Sequence, residues 1–260
     1  MIIVPDQTWD VLAVEAIAAK MEESKRHSWR LQSGKVFFKH RRALYHLEAA
    51  QEAVRKMVGA MQPVRLGDGG SVVNSSYSGP LSELLFFHLD GFLEATRAAY
   101  DALMSLLISA KVVRHDSPSS INAFVDVIRN APNRAKTDPP EITDLLLKFW
   151  GDTGEQAKDY RDCFTHHVTL SGPTWMVAVM MIGRATGWTP YVPWPDNPDA
   201  RSYAKFTFDK RLDAVAYCNE VHRQSDAFLR KLVSQCLVKW DVEVQTEQFI
   251  FTTTLNHGVE

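Results

Sequence analysis

Eight consecutive residues, Tyr160-Arg161-Asp162-Cys163-Phe164-Thr165-His166-His167, gather an arginine, an aspartate, a thiol and two imidazoles. Histidine titrates near neutral pH and so moves protons, while arginine is a fixed cation whose planar fork matches a pair of anionic oxygens. Together they suit a reaction in which one atom gives up a proton and another gathers negative charge. The candidate residues are Arg161, Asp162 beside it and His166, with His167 as the alternative histidine. Residues five apart on an α-helix are turned about 140° from one another, against about 40° for residues four apart. Arg161 and His166 are therefore expected to meet in one of two ways. Either the helix ends before His166 and lets it fold back, or a second protomer completes the pair across a two-fold axis. Cys163 is near enough to both histidines for them to lower its pKa; the plainer reading is a small side chain packed on a helix flank. Arg41 and His46 have the same spacing, but they belong to the basic run Lys39, His40, Arg41, Arg42, which reads as a solvated helix face.

Other chemistries fare worse. A carboxylate-bridged di-metal centre in a helical bundle needs Glu-x-x-His pairs, and the chain has none, nor a His-Glu-x-x-His. Adjacent His166 and His167 would point about 100° apart on a helix, poor geometry for one ion, so no metal is expected. A metallohydrolase built from scattered histidines is a weaker third option. Gly67, Gly69 and Gly70 form a glycine-rich stretch without the Gly-Lys-Ser/Thr ending of a phosphate loop, and read as a connector. No Gly-x-Ser-x-Gly occurs, and Ser171, Gly172 and Pro173 read as a turn. No cofactor is expected.

Helical periodicity supplies the frame. Apolar residues step by three and four over 8–30 and again over 37–61, giving an N-terminal helical hairpin in residues 1–61. Residues 62–80 are dense in Gly, Ser, Asn and Pro, which predicts a long loop. The seam from Leu81 through Leu85, Leu89, Phe92 and Ala99 to Leu103 and Ala110 predicts one central helix over 81–113. On another face of it, Asp90 and Glu94 are candidates to orient the arginine or histidine. The alternative is that they form, with Arg97 and Asp101, a ladder of ion pairs on a wet surface. A short helix is expected over 120–131. Asp138, Pro139, Pro140 and Glu141 read as a capped helix start, and Gly151 as a break before a second cap at Asp152 and Glu155. The run 189–198 excludes regular structure in its middle, 175–182 fit either strand or buried helix, and 202–208 read as a strand. A last helix is expected over 210–237, and the tail 238–260 reads as either an edge strand or a loose end. The fold class is all-α, a bundle of five or six helices over one core, with a small irregular or β insertion near 170–208.

The 260 residues, 45% hydrophobic and 23% charged, exclude global disorder. With 29 basic against 31 acidic side chains, the net charge of -2 argues against coating nucleic acid by bulk electrostatics and leaves room for a local basic groove. Cys163, Cys218 and Cys236 contain no Cys-x-x-Cys pair, which points away from a disulfide framework and toward a reducing compartment. The longest apolar run, eight residues from Trp175, is too short to span a bilayer, and the first residues do not read as a signal peptide, so no membrane role and a cytoplasmic location are expected.

An arginine, a polar residue and a histidine after four intervening positions resembles the Arg-x(4–6)-His motif of HEPN domains, compact helical modules common in toxins, defence systems and nucleotide-binding proteins. The resemblance covers mainly residues 81–237. It implies a homodimer whose motif arginines and histidines meet in a cleft and cut single-stranded RNA without a metal, sometimes alongside a cognate protein partner. In that chemistry histidine takes the proton from a 2′-hydroxyl and arginine holds charge on phosphorus. The alternative is a catalytically silent module that binds protein or nucleotide, because the loop at 62–80 and the insertion at 170–208 depart from a simple cleft.

Overall fold

The computed structural model describes residues 9–60, 64–65, 71–72, 80–113, 118–131, 137–168, 180–182, 189–200 and 202–242. The helices are α1 (Trp9–Lys20), α2 (Glu23–Ala60), α3 (Pro80–Ser109), α4 (Ile121–Asn130), α5 (Glu141–Phe149), α6 (Glu155–His166) and α7 (Ala214–Lys239). A π-helical turn, Trp150–Gly154, joins α5 to α6 without a break, so the described helices make six rods. Among the described residues there are also three two-stranded antiparallel ladders: β1 (Val64–Arg65) with β2 (Ser71–Val72), β3 (Met180–Ile182) with β4 (Thr189–Tyr191), and β5 (Pro193–Trp194) with β6 (Leu212–Asp213). This is the all-α bundle with a small β insertion. One apolar cluster runs through it from Ala13 on α1 to Cys236 on α7. Among the described residues, no helix is long and apolar enough to cross a membrane.

The first two helices divide at Met21 and Glu22, and α2 continues straight through the stretch expected to break it near 31–36. Gly34 costs only about 1 kcal/mol in a helix, and it is outweighed by burial of Ser33, Val36 and Phe37, with the Ser33 hydroxyl donating to Trp29 O at 2.8 Å. The true break is closed by Arg26, whose Nε donates to Met21 O at 3.1 Å. The Trp29 indole then donates to Val14 O at 2.8 Å, clamping the hairpin.

Central helix α3 packs along α2 and also meets α4, α6 and α7. It stops at Ser109, four residues short of the expected end. Lys111 takes φ of 56°, and the Val112 and Lys111 amides donate back to Leu107 O and Ile108 O. That is a Schellman close. Asp241, at φ of 50°, ends α7 in the same way, and Trp240 Nε1 then donates to Ala110 O, tying the two helix ends together.

Ser120 caps α4 as expected, its hydroxyl accepting from the Ala123 amide. Glu141 does begin α5, but Asp138 does not cap it; its amide bonds Val112 O and its carboxylate meets Lys239. Gly151 is not a break, and Asp152 caps nothing, because Lys148 takes its carboxylate at 2.7 Å. Residues 202–208 form a 3-10 turn (Tyr203–Lys205) and an extended stretch pinned by Asn197, not a strand. The 189–198 segment does contain β4 and β5, and the 62–80 loop contains the β1–β2 pair. Trp194 from the insertion is fully buried on Tyr160 and Phe164 of α6, and the Tyr160 hydroxyl donates to Pro195 O at 2.5 Å. Asp213 caps α7 at the Ala216 amide and also accepts from the Val192 amide. The glycine stretch at 67–70, the 171–173 turn, residues 175–179 and the tail beyond 242 lie outside the described residues.

Candidate functional site

The buried side of α6, formed by Ala157, Tyr160, Cys163 and Phe164, faces the core and leaves Arg161, Asp162, Thr165 and His166 along the seam with α3. Glu94 on α3 meets them there. Arg161 donates from Nε to Glu94 Oε1 at 3.0 Å and from Nη2 to Oε2 at 3.3 Å, a two-pronged pair. The Thr165 hydroxyl holds the same carboxylate, at 2.8 Å from Oε1. Arg161 Nη1 reaches Asp162 Oδ1 at 3.1 Å and His166 Nε2 at 3.3 Å. Lys158, one turn earlier, lies 3.2 Å from Asp162 Oδ2.

Arg161 and His166 thus meet inside a single chain, on a helix that runs through His166. Neither a fold-back nor a partner is required, contrary to the expectation from the 140° offset. That angle describes where the Cβ atoms point; the long arginine side chain sweeps around the last turn and closes the gap. Because a guanidinium only donates, the contact is a hydrogen bond when Nε2 of His166 carries no proton, which places the proton of the neutral ring on Nδ1. His167 is exposed with its ring centroid 6.4 Å from that of His166, and it makes no hydrogen bond to Arg161.

Glu94 thus pairs with Arg161 across the seam and not with Arg97, whereas Arg97 and Asp101 do form the surface pair at 3.0 Å. Asp90 is the neighbour of this cluster: burial, and next the Glu94 charge, push its carboxyl above the ordinary range against the pull of Arg161. Asp162 sits below its ordinary range; burial works against this, but hydrogen bonds from Arg161 and Lys158 outweigh it. Cys163 is the packed alternative. Its thiol donates to Ala200 O at 3.0 Å, and burial pushes it up to about 11. Sequence spacing held signals for the two residues it did not single out, since Thr165 is four after Arg161 and Lys158 four before Asp162.

Two histidine pairs, invisible in sequence because their members are far apart, form at helix seams. His46 does not pair as a motif histidine with Arg41; it turns into the α2–α3 seam, Nδ1 to Nδ1 at 3.1 Å from His88. His40 stacks on His222 with centroids 4.4 Å apart and lies 3.4 Å from Asp226, beside an open groove of about 600 Å³ between α2 and α7. Among the described residues no three histidine, cysteine or acidic side chains are placed to hold a metal ion.

These pairs give the fold an acid limit. Burial lowers the pKa of His46, His88 and His222, the last to about 4, with His40 adding to the effect on His222. The unfolded chain takes up these protons near 6.5 and the folded chain refuses them until lower pH, so their contribution is full above that value and is lost as pH falls toward 4. Asp226, drawn down to about 2 by His40 at 3.4 Å and then by its hydrogen bond from Arg230, adds a further loss at still lower pH. The melting temperature is expected to drop steadily between about pH 6.5 and 4, and His222→Gln to flatten that slope. A flat profile in wild type would mean that the imidazoles titrate freely.

Comparison with protein-family models, with curated proteins and with solved structures found no match to this chain.

Proposed function

We propose that this chain binds single-stranded RNA and cuts it without a metal, in the manner of the HEPN domains its motif resembles, as a two-fold homodimer in the cytoplasm. The observation that carries the reading is the 3.3 Å contact between Arg161 Nη1 and His166 Nε2 on a half-exposed surface. His166 Nε2 takes the proton of a ribose 2′-hydroxyl. The freed oxygen attacks the neighbouring phosphorus, the bond to the 5′ oxygen breaks, and the histidine of the second protomer returns a proton to that leaving oxygen. Arg161 swings Nη1 from His166 onto a phosphoryl oxygen while Glu94 keeps its grip on Nε and Nη2, so the cation stays aimed. The products are a 2′,3′-cyclic phosphate and a 5′-hydroxyl.

A second reading, a silent RNA-, nucleotide- or protein-binding module, is favoured by a specific feature. Four of the five Arg161 N–H groups are already engaged within the chain, by Glu94, Asp162 and His166. One experiment separates the two. Purified protein incubated with labelled single-stranded RNA in excess chelator is expected to yield products ending in a cyclic phosphate, and light scattering is expected to give a dimer mass. Bound but uncut RNA would select the silent module.

A further inference from the structure

The first half of α2 carries a second feature. Between Ser24 and Leu47 the chain has seven lysines and arginines and not one aspartate or glutamate. On the same surface, large aromatic side chains stand open: Phe38 is 65% exposed, Tyr45 62%, and Phe87, across the seam on α3, 64%. Resting a ring of this size in water forfeits the free energy of burying it, so three together mark a surface that something covers.

We infer that Phe38, Tyr45 and Phe87 form a base-stacking platform for single-stranded RNA, a proposal that rests on the RNA-binding reading above and extends it to a second surface. Two observations fix the occupant. Phe38 and Tyr45 are seven residues apart, hence on one stripe of α2 and about 10 Å apart along it. Lys35, three before Phe38, and Arg42, four after it and three before Tyr45, lie within about 60° of the same stripe, and neither makes an ion pair among the described residues. Rings and cations are thus interleaved, which matches a strand of bases and phosphates. A helix that lies on a lipid surface separates its apolar and basic faces instead. A second copy of the chain would bring the unpaired cations Lys35 and Arg42 against their own kind.

Two of the rings, Tyr45 and Phe87, are also held firmly. Tyr45 packs edge-on to His46 and His88 at 5.4 and 6.2 Å between centroids, and Phe87 to the same two rings at 6.2 and 5.3 Å. The His46 ring lies so close to α3 that a Cβ on Gly91 would fall 2.6 Å from it. The buried histidine pair is therefore a floor on which both aromatic rings lean. Continuity links this floor to the Arg161 cluster: Phe87 and Glu94 are seven apart on α3, on one stripe and about 10 Å from each other along the axis. A strand stacked on Phe87 is carried along α3 toward Arg161 and His166.

The test is fluorescence anisotropy of a short labelled oligouridine with the intact protein in chelator, beside the cleavage rate at saturating RNA. Phe38→Ala, Tyr45→Ala and Phe87→Ala are each expected to weaken binding by about tenfold, with unchanged melting temperature and unchanged saturated cleavage rate. Tyr45→Phe, which keeps the ring face, is expected to bind as wild type. His166→Ala is expected to bind as wild type and to cut more slowly by on the order of 10² to 10⁴. Ring-dependent binding without cleavage in wild type would sustain the platform and remove the nuclease reading. Cleavage with binding indifferent to the rings would do the reverse. The platform is also overturned if duplex RNA of the same length binds equally well, or if the rings govern binding to phosphatidylserine vesicles, or self-association, and not binding to the oligouridine.

Discussion

His166→Ala is expected to lower the rate of RNA cleavage by on the order of 10² to 10⁴ and to leave the melting temperature almost where it was. His166 is exposed, closes the last turn of α6, and its ring bonds Arg161 Nη1. Removing it takes away the proton acceptor and leaves no cavity. Arg161→Lys is expected to be costly as well, for a different reason. The guanidinium spans both oxygens of Glu94 while Nη1 turns toward Asp162 and His166. An ammonium is a single point and cannot hold Glu94 and a phosphoryl oxygen in fixed relation. Glu94→Gln distinguishes positioning from chemistry: its neutral amide keeps one acceptor for Arg161, so saturated turnover should fall less than with His166→Ala, with much of the loss in apparent affinity. If His166→Ala cuts RNA at the wild-type rate but unfolds many degrees lower, His166 is structural and the binding module replaces the nuclease.

How far the sequence led depends on which force decided each feature. The long seam of α3 was readable because its apolar side chains repeat at the helical period and the helix is buried along its length. Its end was not, because the left-handed residue that closes it is Lys111 and not the glycine that usually marks such a place. The gap between the periodic runs ending at 30 and starting at 37, and Gly151, invited breaks that tertiary burial overrode. Asp138 had the right type for a cap, yet packing against Val112 and Lys239 claimed it first. Within the site, the arginine, aspartate and histidine were legible as a local cluster. The role of Glu94 was only half legible, since helical spacing offers it Arg97 at i+3 as readily as Arg161 on another helix. The histidine seams, with partners 42 residues apart for His46 and His88, rest wholly on long-range packing.

The π turn shows how such packing reaches the site. The Glu155 amide bonds back to Trp150 O, five residues away, so one residue is inserted relative to an α-helix and the face of α6 is rotated by about 100°. Without it Arg161 would turn away from Glu94. The turn exists around Trp150, fully buried with its ring edge-on to Tyr100, and with the Arg97 guanidinium 6.0 Å above it. Gly154 makes room for the indole: a Cβ there would fall 2.5 Å from Trp150 Cε3. Trp150→Ala is expected to cost about 3–5 kcal/mol through the cavity it opens. No hydrogen bond is lost with it, since the indole N–H has no partner among the described residues, so Trp150→Phe should cost far less. Gly154→Ala is expected to cost about 1–3 kcal/mol by overpacking, because the indole is walled in and cannot retreat. In the Trp150→Ala background the added methyl meets an empty space, so the double variant should be more stable than the sum of the two losses, by about 1–3 kcal/mol in a denaturant double-mutant cycle. Strict additivity would mean that Gly154 serves the backbone of the turn and not the indole, and that the phase of α6 is set elsewhere.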